Sequence, residues 1–289
     1  MAIENMTNIQ VPAEVSAEIF TDALEVSGLT SLAANAGLNL RITSDSRDRI
    51  FYDVSGAEAD WHNPATEEKA VAENTVKTVS VPMTDLYLIW KVQDHTDQSA
   101  TELINQLKID APKKLGEALQ KTVFGGTAEF AKAPFGGVTT FGDATEINTA
   151  DANAWAGVID SVDDATGLLL NSKVKSDLKT AVTTVQAGVT INPLTFGIED
   201  GYTVAGLPAY FVKRAKSPVT DLAGVVGDWS KAVLYVKNDL SLQTVDGSTD
   251  FQMMREDARA YKLKWRCGFA VADKKYFKTF KKQASQVSA

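Results

Sequence analysis

The chain has 289 residues, 44% of them hydrophobic and 23% charged, with a net charge of −8. That length allows one large domain or two modest ones, and that balance is the balance of a soluble, globular protein. The acidic total argues against a dedicated nucleic-acid binder, which would carry a dominant basic face. The charge is uneven, however: residues 255–289 hold ten basic and three acidic side chains. That end can touch phosphate or an acidic neighbour, or simply be a solvated face. No run approaches ~18 consecutive apolar residues, so no membrane span is expected. The opening MAIENMTNIQVPAEV has neither a basic nor an apolar leader region and does not read as a signal peptide. Cys267 is the only cysteine, which excludes an intrachain disulfide and points to a reducing compartment.

Residues 1–40 read as a loosely patterned arm. Val15, Ile19, Leu24 and Leu29 fit a short helix after Pro12, but little here would build a core alone. Residues 41–73 are long, charged and thin in apolar side chains. Arg41, Arg47 and Arg49 cluster early, and Glu67, Glu68 and Glu73 late. Ile50, Phe51, Tyr52 and Val54 predict a strand, and strand character resumes over 71–81. The expectation is a two-stranded excursion that returns near where it left. Such a hairpin is marginal in water by itself and needs a partner surface, unless the stretch is only a surface loop. Leu86, Leu88, Trp90 and Val92 alternate with other side chains and predict a strand leading into a long helix.

That helix, over residues 99–126, organises the chain. Ser99 and Glu102 form a capping-box pair. Leu103, Ile104, Leu107, Ala111, Leu115, Ala118, Leu119 and Val123 recur at helical spacing. Leu103, Leu107, Leu115 and Leu119 are its expected core. Pro112 lies inside, where its missing N–H predicts a bend, and Gly125-Gly126 closes the end.

Beyond it a Gly-rich stretch leads to an α/β section. A helix is expected over 152–165 with Trp155, Val158, Ile159 and Val162 inward. A buried strand is expected at Leu168–Leu170, then a helix capped by Ser172 through Val182. Strand character over 202–212 is interrupted at Gly206 and Pro208. Gly224-Val225-Val226-Gly227 reads as a turn. The clearest strand is 260–272. There Tyr261, Leu263, Trp265, Cys267, Phe269 and Val271 point one way, and Lys262, Lys264 and Arg266 the other. At ~3.3 Å per residue it is near 40 Å long, which suits a flat, extended protein.

Catalytic residue patterns are thin. His62 and His95 are the only histidines, and Asp94-His95-Thr96-Asp97 has no nucleophile elbow beside it. One cysteine and no HExxH argue against zinc. No phosphate loop or dinucleotide fingerprint is present. The expectation is a non-enzyme with no catalytic, cofactor-binding or metal residues and no cofactor.

The order of parts resembles a major capsid protein of a tailed bacteriophage with the HK97-type fold. The wording that carries it is Ala59-Asp60-Trp61 in the extended loop, followed by a return strand, and then strand, polar lead-in and spine helix ending in Phe124-Gly125-Gly126. Later come Gly206-Leu207-Pro208, Gly227-Asp228-Trp229-Ser230-Lys231-Ala232, and Asp257-Ala258-Arg259 before the last long strand. The resemblance covers about residues 33–280. It implies an α+β, HK97-like capsid fold: an N-arm over 1–40, an extended E-loop hairpin over 41–82, and a P-domain with spine helix and β-sheet over 83–130. An α/β A-domain would span 131–240, and the P-domain return strands and C-terminal tail 241–289.

The resemblance implies a subunit that self-assembles into hexamers and pentamers of an icosahedral head around double-stranded DNA, without sequence-specific binding. The partners would be copies of itself, a portal protein and a separate scaffold protein, with no membrane. The location would be the virion, and the host cytoplasm during assembly. The thin charged loop then has a partner, the neighbouring subunit. Arg47, Arg49, Trp61, Glu67, Glu68, Lys69, Lys262 and Lys264 are the expected intersubunit contacts, with Asp257 and Arg266 beside the last two.

The chain departs from some relatives. The loop starts too early for a cleaved N-terminal scaffolding segment. Lys69 could donate a crosslink, but residues 247–258 hold no Asn to receive it. His62-Asn63-Pro64 stands where many relatives carry Glu. Two alternatives remain. One is an encapsulin-like compartment, disfavoured here because the arm lacks an evident compact helix. The other is an unrelated cytosolic α/β enzyme using His95.

Overall fold

The structure, a computed structural model, describes residues 13–45, 47–55, 75–93, 100–124, 144–181, 183–185, 189–191, 194–197, 201–212, 222–245 and 250–283. It opens with α1 (Ala13–Ser27) and α2 (Leu29–Ala36). Next come β1 (Asn39–Thr43), β2 (Arg49–Ser55), β3 (Thr75–Val81) and β4 (Thr84–Gln93), then α3 (Ala100–Phe124). A middle section holds β5 (Ala144–Ile147), α4 (Ala152–Asp160), β6 (Gly167–Asn171) and α5 (Lys175–Thr180). Short strands follow: β7 (Thr183–Val185), β8 (Val189–Ile191), β9 (Leu194–Gly197), β10 (Gly201–Val204), β11 (Leu207–Val212) and β12 (Leu222–Gly227). The chain closes through β13 (Ala232–Val245), α6 (Phe251–Arg255), β14 (Ala258–Val271) and β15 (Phe277–Lys282).

Two sheets carry the fold. A four-stranded sheet runs β1-β13-β14-β4, and a seven-stranded one β5-β15-β12-β6-β11-β10-β9. In the first, β14 is flanked antiparallel on both sides by β13 and β4, while β1 joins β13 in parallel. α1 and α3 cover one face of this sheet. Period-2 alternation puts Leu263, Trp265, Cys267 and Phe269 of β14 there, against Ile19, Phe20 and Leu24 of α1 and Leu107, Leu115 and Leu119 of α3. Phe20 and Trp265 meet edge to face at 5.5 Å. The α3 stripe therefore buries as its spacing predicts, at Leu107, Ala111, Leu115 and Leu119. Leu103 lies in α3, but its side chain is outside the described residues. Pro112 stands within the helix.

The seven-stranded sheet packs a second core around Trp155, Val158, Leu168, Leu170, Leu178, Val226 and Phe280. Its opposite side, at Leu169 and Val225, joins the first core through Trp229 and Phe277. Trp229 Nε1 donates to the Gly167 carbonyl at 3.0 Å, and Thr166 Oγ1 donates to the Ala36 carbonyl at 2.6 Å. The two sheets thus share one continuous core.

Asx caps explain where many elements start. Asp151, Asn171, Asp228, Asp250 and Asp273 each accept a backbone N–H two residues on, which satisfies one donor that a helix start leaves open.

Several expectations are corrected. The N-terminal arm does contain a compact helix: α1 is 15 residues long and part of the main core. The stripe was visible, but its partner, α3, lies far along the chain. Gly224–Gly227 is not a turn but buried strand β12. A Cβ on Gly227 would stand 2.2 Å from Phe277 Cδ1, so glycine is there for close approach of a ring. The helix expected over 152–165 stops at Asp160, and Val162 is buried from the following turn. Asn171, not Ser172, caps the next turn, and α5 ends at Thr180. Pro208 lies inside β11. The interruption there is the two-residue turn Ala205-Gly206, both at positive φ (48° and 88°), which suits a tight hairpin.

Candidate intersubunit surfaces

β2 and β3 pair with each other from Arg49↔Val81 to Ser55↔Thr75 and form a sheet of their own. The two strands pair as the sequence predicts, with the return strand described from Thr75; residues 56–74 lie outside the described residues. Alternation gives this hairpin two different faces. Phe51, Val79 and Val81 face inward and pack with Met83 on Val233, Tyr235, Ala270 and Ala272. They cover the face of the four-stranded sheet opposite α1 and α3, at one end only. Gly268 of β14 lies beneath the exit of the hairpin. A Cβ there would stand 2.8 Å from the Pro82 carbonyl oxygen and 2.9 Å from Met83 Sδ.

Polar ties finish the seat. Asp53 is 6% exposed and accepts from Lys231 Nζ at 2.7 Å. Lys77 Nζ donates to Asp273 at 2.7 Å, and the Met83 amide donates to Asp48 at 2.9 Å. The hydrogen bond to Asp53 holds the Lys231 ammonium above its usual 10.5. The hydrogen bond from Lys77 holds the Asp273 carboxyl below its usual 3.8.

The outer face of the hairpin is unlike the inner one. Ile50, Tyr52 and Val76 are 52%, 60% and 55% exposed, and Ile42 on edge strand β1 is also exposed. Ile50 is opposite Ser80, and Tyr52 opposite Thr78. Apolar side chains grouped on one exposed face mark an interaction surface more often than isolated exposed residues do.

A second surface is the uncovered part of the four-stranded sheet. Tyr87 and Ile89 of β4 are exposed, and their ladder partners on β14 are Lys264 and Lys262. Lys262 Nζ lies 5.4 Å from the Tyr87 ring centroid. Lys264 pairs with Asp85 at 2.8 Å, and Arg266 reaches the same carboxylate at 3.6 Å. At the end of this sheet α6 exposes Phe251 and Met254.

The structure thus brings Lys262 and Lys264 onto one open face. Arg47 is exposed and pairs with Asp45 at 2.9 Å; Arg49 pairs with Asp45 at 3.6 Å and donates to Thr43 Oγ1. Both arginines are therefore engaged within their own limb. Trp61, Glu67, Glu68 and Lys69 lie outside the described residues, as do His62 and His95. Asp257 is exposed, at φ 42°. Sequence reasoning missed the apolar outer face and the Asp53–Lys231 tie. The available signal was that Ile50 to Tyr52 is apolar on consecutive positions, so both faces of one strand need cover. Cys267 is buried in the main core, and burial pushes its thiol up to about 12. Among the described residues no group of His, Cys, Asp and Glu could hold a metal, and no helix is long and apolar enough to cross a membrane.

The profile of the phage capsid family matches residues 8–282. The chain belongs to the phage capsid family. A solved structure from Gordonia phage Cozz superposes with a TM-score of 0.57 at 16% identity, over 88% of this chain and 87% of that one. One from Mycobacterium phage Bobi gives 0.57 at 18%, over 88% and 91%. The capsid of an empty GTA particle gives 0.58 at 14%, over 98% and 94%. No curated protein sequence matches the chain. At such identities the structural likeness is one of fold, and that fold is the α+β, HK97-like one. Membership of the phage capsid family makes the chain a structural subunit of a virion shell.

Proposed function

We propose that this capsid subunit assembles into hexamers and pentamers of an icosahedral phage head enclosing double-stranded DNA. The observation that carries the reading is the hairpin. Its strands β2 and β3 form a sheet of their own, seated on one face and leaving Ile50, Tyr52 and Val76 exposed on the other. We assign residues 1–40 as N-arm, 41–82 as E-loop, 83–130 and 241–289 as P-domain with its tail, and 131–240 as A-domain. The strands over 39–43 and 277–282 go with the sheets in which they pair. The subunit works without catalysis. It meets a portal protein and a separate scaffold protein, contacts DNA without reading sequence, and assembles in the host cytoplasm.

In this reading the outer hairpin face docks on a neighbouring copy, Glu67 and Glu68 meet the neighbour's Lys262 and Lys264, Arg47 and Arg49 meet its Asp257, and Trp61 and Lys69 lie within the same contact. Exposed ion pairs are each worth ~0.2–1 kcal/mol, so the charged part selects register rather than supplying most of the affinity. The test reverses Glu67 and Glu68 to Lys. Assembly should weaken and its salt dependence should change, with unaltered circular dichroism. Reversing Lys262 and Lys264 to Glu as well should partly restore it. Failure of the rescue, with salt-independent assembly of the parent, would leave only the apolar contact.

A further inference from the structure

The hairpin meets the four-stranded layer through four charges whose arrangement is unusual. Asp53 and Lys77 are directly opposed on one rung of β2–β3. Opposed residues of an antiparallel pair share a face, with Cβ atoms ~4.5–5.5 Å apart, and opposite charges there attract. Yet each reaches away from the other, Asp53 to Lys231 and Lys77 to Asp273, both at 2.7 Å. The two receiving charges are neighbours as well. The Lys231 carbonyl accepts from the amide of Ala272, the residue before Asp273, at 2.8 Å.

We propose that these four side chains form a partner-exchange hinge. With the hairpin seated, the pairs run from hairpin to body. With it lifted, Asp53 pairs with Lys77 across their rung, and Lys231 pairs with Asp273, one residue on from the Ala272 that bonds the Lys231 backbone. Neither position strands a charge, so the hairpin changes its angle without the penalty that breaking a partly buried ion pair carries. The apolar seat of Phe51, Val79 and Val81 biases the hinge toward the seated form. A groove of about 380 Å³ lies between β3 and the end of β14, beneath Lys77, Val79 and Pro82 and above the Phe269–Lys274 run, and gives the movement room. The other charged or titratable groups at this place are Asp228, Lys274, Lys275 and Tyr276. Lys231 Nζ lies 5.4 Å from the Tyr276 ring and Lys275 Nζ 4.8 Å from it.

The fold supplies a reporter and its control. Ala270 faces the hairpin seat, whereas Cys267 is buried on the opposite face of β14 beneath the helices. In an Ala270→Cys background, the rate at which a methanethiosulfonate reagent labels the introduced thiol reads how often the hairpin lifts. Labelling of Cys267 reads global unfolding. Asp53→Lys with Lys231→Asp keeps the seated pairing but puts two ammonium groups on the hairpin rung and two carboxylates on the body. Lifting should become about tenfold rarer, the change that about 1.4 kcal/mol produces, with Cys267 labelling unchanged. Lys77→Asp with Asp273→Lys should act in the same direction and stands in if the first pair fails to fold. Asp273 also caps the turn at Lys275, so reversal of all four charges is compared with this second pair, which shares the lost cap. The fourfold reversal permits both pairings again and should restore labelling. Unchanged or faster labelling in either double variant, or no recovery in the fourfold one, overturns the hinge.

Discussion

Leu115 is 1% exposed between α3 and the four-stranded sheet. Truncating such a leucine typically costs ~2–5 kcal/mol, the lost transfer energy plus the cavity left behind. Leu115→Ala should lower the thermal midpoint and the soluble yield together. Melting unchanged from the parent would contradict the packing assigned to α3. Gly268 makes a second residue-scale case, because a methyl group there meets backbone and sulfur at under 3 Å. Overpacking of this kind costs ~1–3 kcal/mol. Gly268→Ala should therefore speed proteolysis of the hairpin while Cys267 stays protected, since the strain falls on the seat and not on the helix side.

Asp273 gives a pH prediction. Lys77 depresses its carboxyl in the folded chain. Its contribution is therefore present above the unfolded value and is lost as pH falls through the folded one. The Lys77–Asp273 contribution should hold from neutral pH down to about 4 and then fade as pH falls on through the lower folded value. Carbon-13 titration of the Asp273 carboxyl should give a midpoint under 3.8, and Lys77→Met should raise it. An identical midpoint in the two proteins would remove Lys77 as the cause.

At the scale of elements, the hairpin joins two kinds of contact that sequence shows unequally. Its strands were legible because Ile50 to Val54 and the alternation at Val79 and Val81 are strand chemistry. Its seat was not, since Phe51 on Ala270 and Asp53 on Lys231 are pairings across most of the chain. The same limit explains β12. Two glycines around two valines are ordinary turn chemistry, and only the rings of Phe277 and Phe280 reveal why a strand needs them. The inward stripe of α3 at Leu107, Ala111, Leu115 and Leu119 was legible because its information is local, a 3.6-residue spacing, whereas α1 was half legible because its partner is not; the expected cap at Ser99 and stop at Gly125-Gly126 lie outside the described residues. Of the expected contact residues, Lys262 and Lys264 could be placed on one face by alternation alone. Their present partners, Tyr87 and Asp85, could not. The prediction at this scale concerns the outer face. Ile50→Ser, Tyr52→Ser and Val76→Ser together remove exposed apolar groups only, and surface changes are usually within ±0.5 kcal/mol. The subunit should melt as the parent does but fail to assemble. Normal assembly would show that this face is not an interface.

At the scale of the molecule, two sheets joined through Trp229 and Phe277 share one core, a second core lies on the far side of the seven-stranded sheet, and the hairpin is seated on a third cluster of its own. That division suits a shell, where a rigid body sets the tile and an arm reaches the next one. Small terms repeated over many copies then decide whether the shell closes. The most direct measurement is electron microscopy of the purified parent protein beside a variant in which residues 56–74 are replaced by a two-residue turn. The rungs of β2–β3 and their seat remain in that variant. The account predicts shells or capsomers from the parent, and a folded but unassembled subunit from the variant. A monodisperse monomer from the parent, or normal shells from the variant, would contradict it.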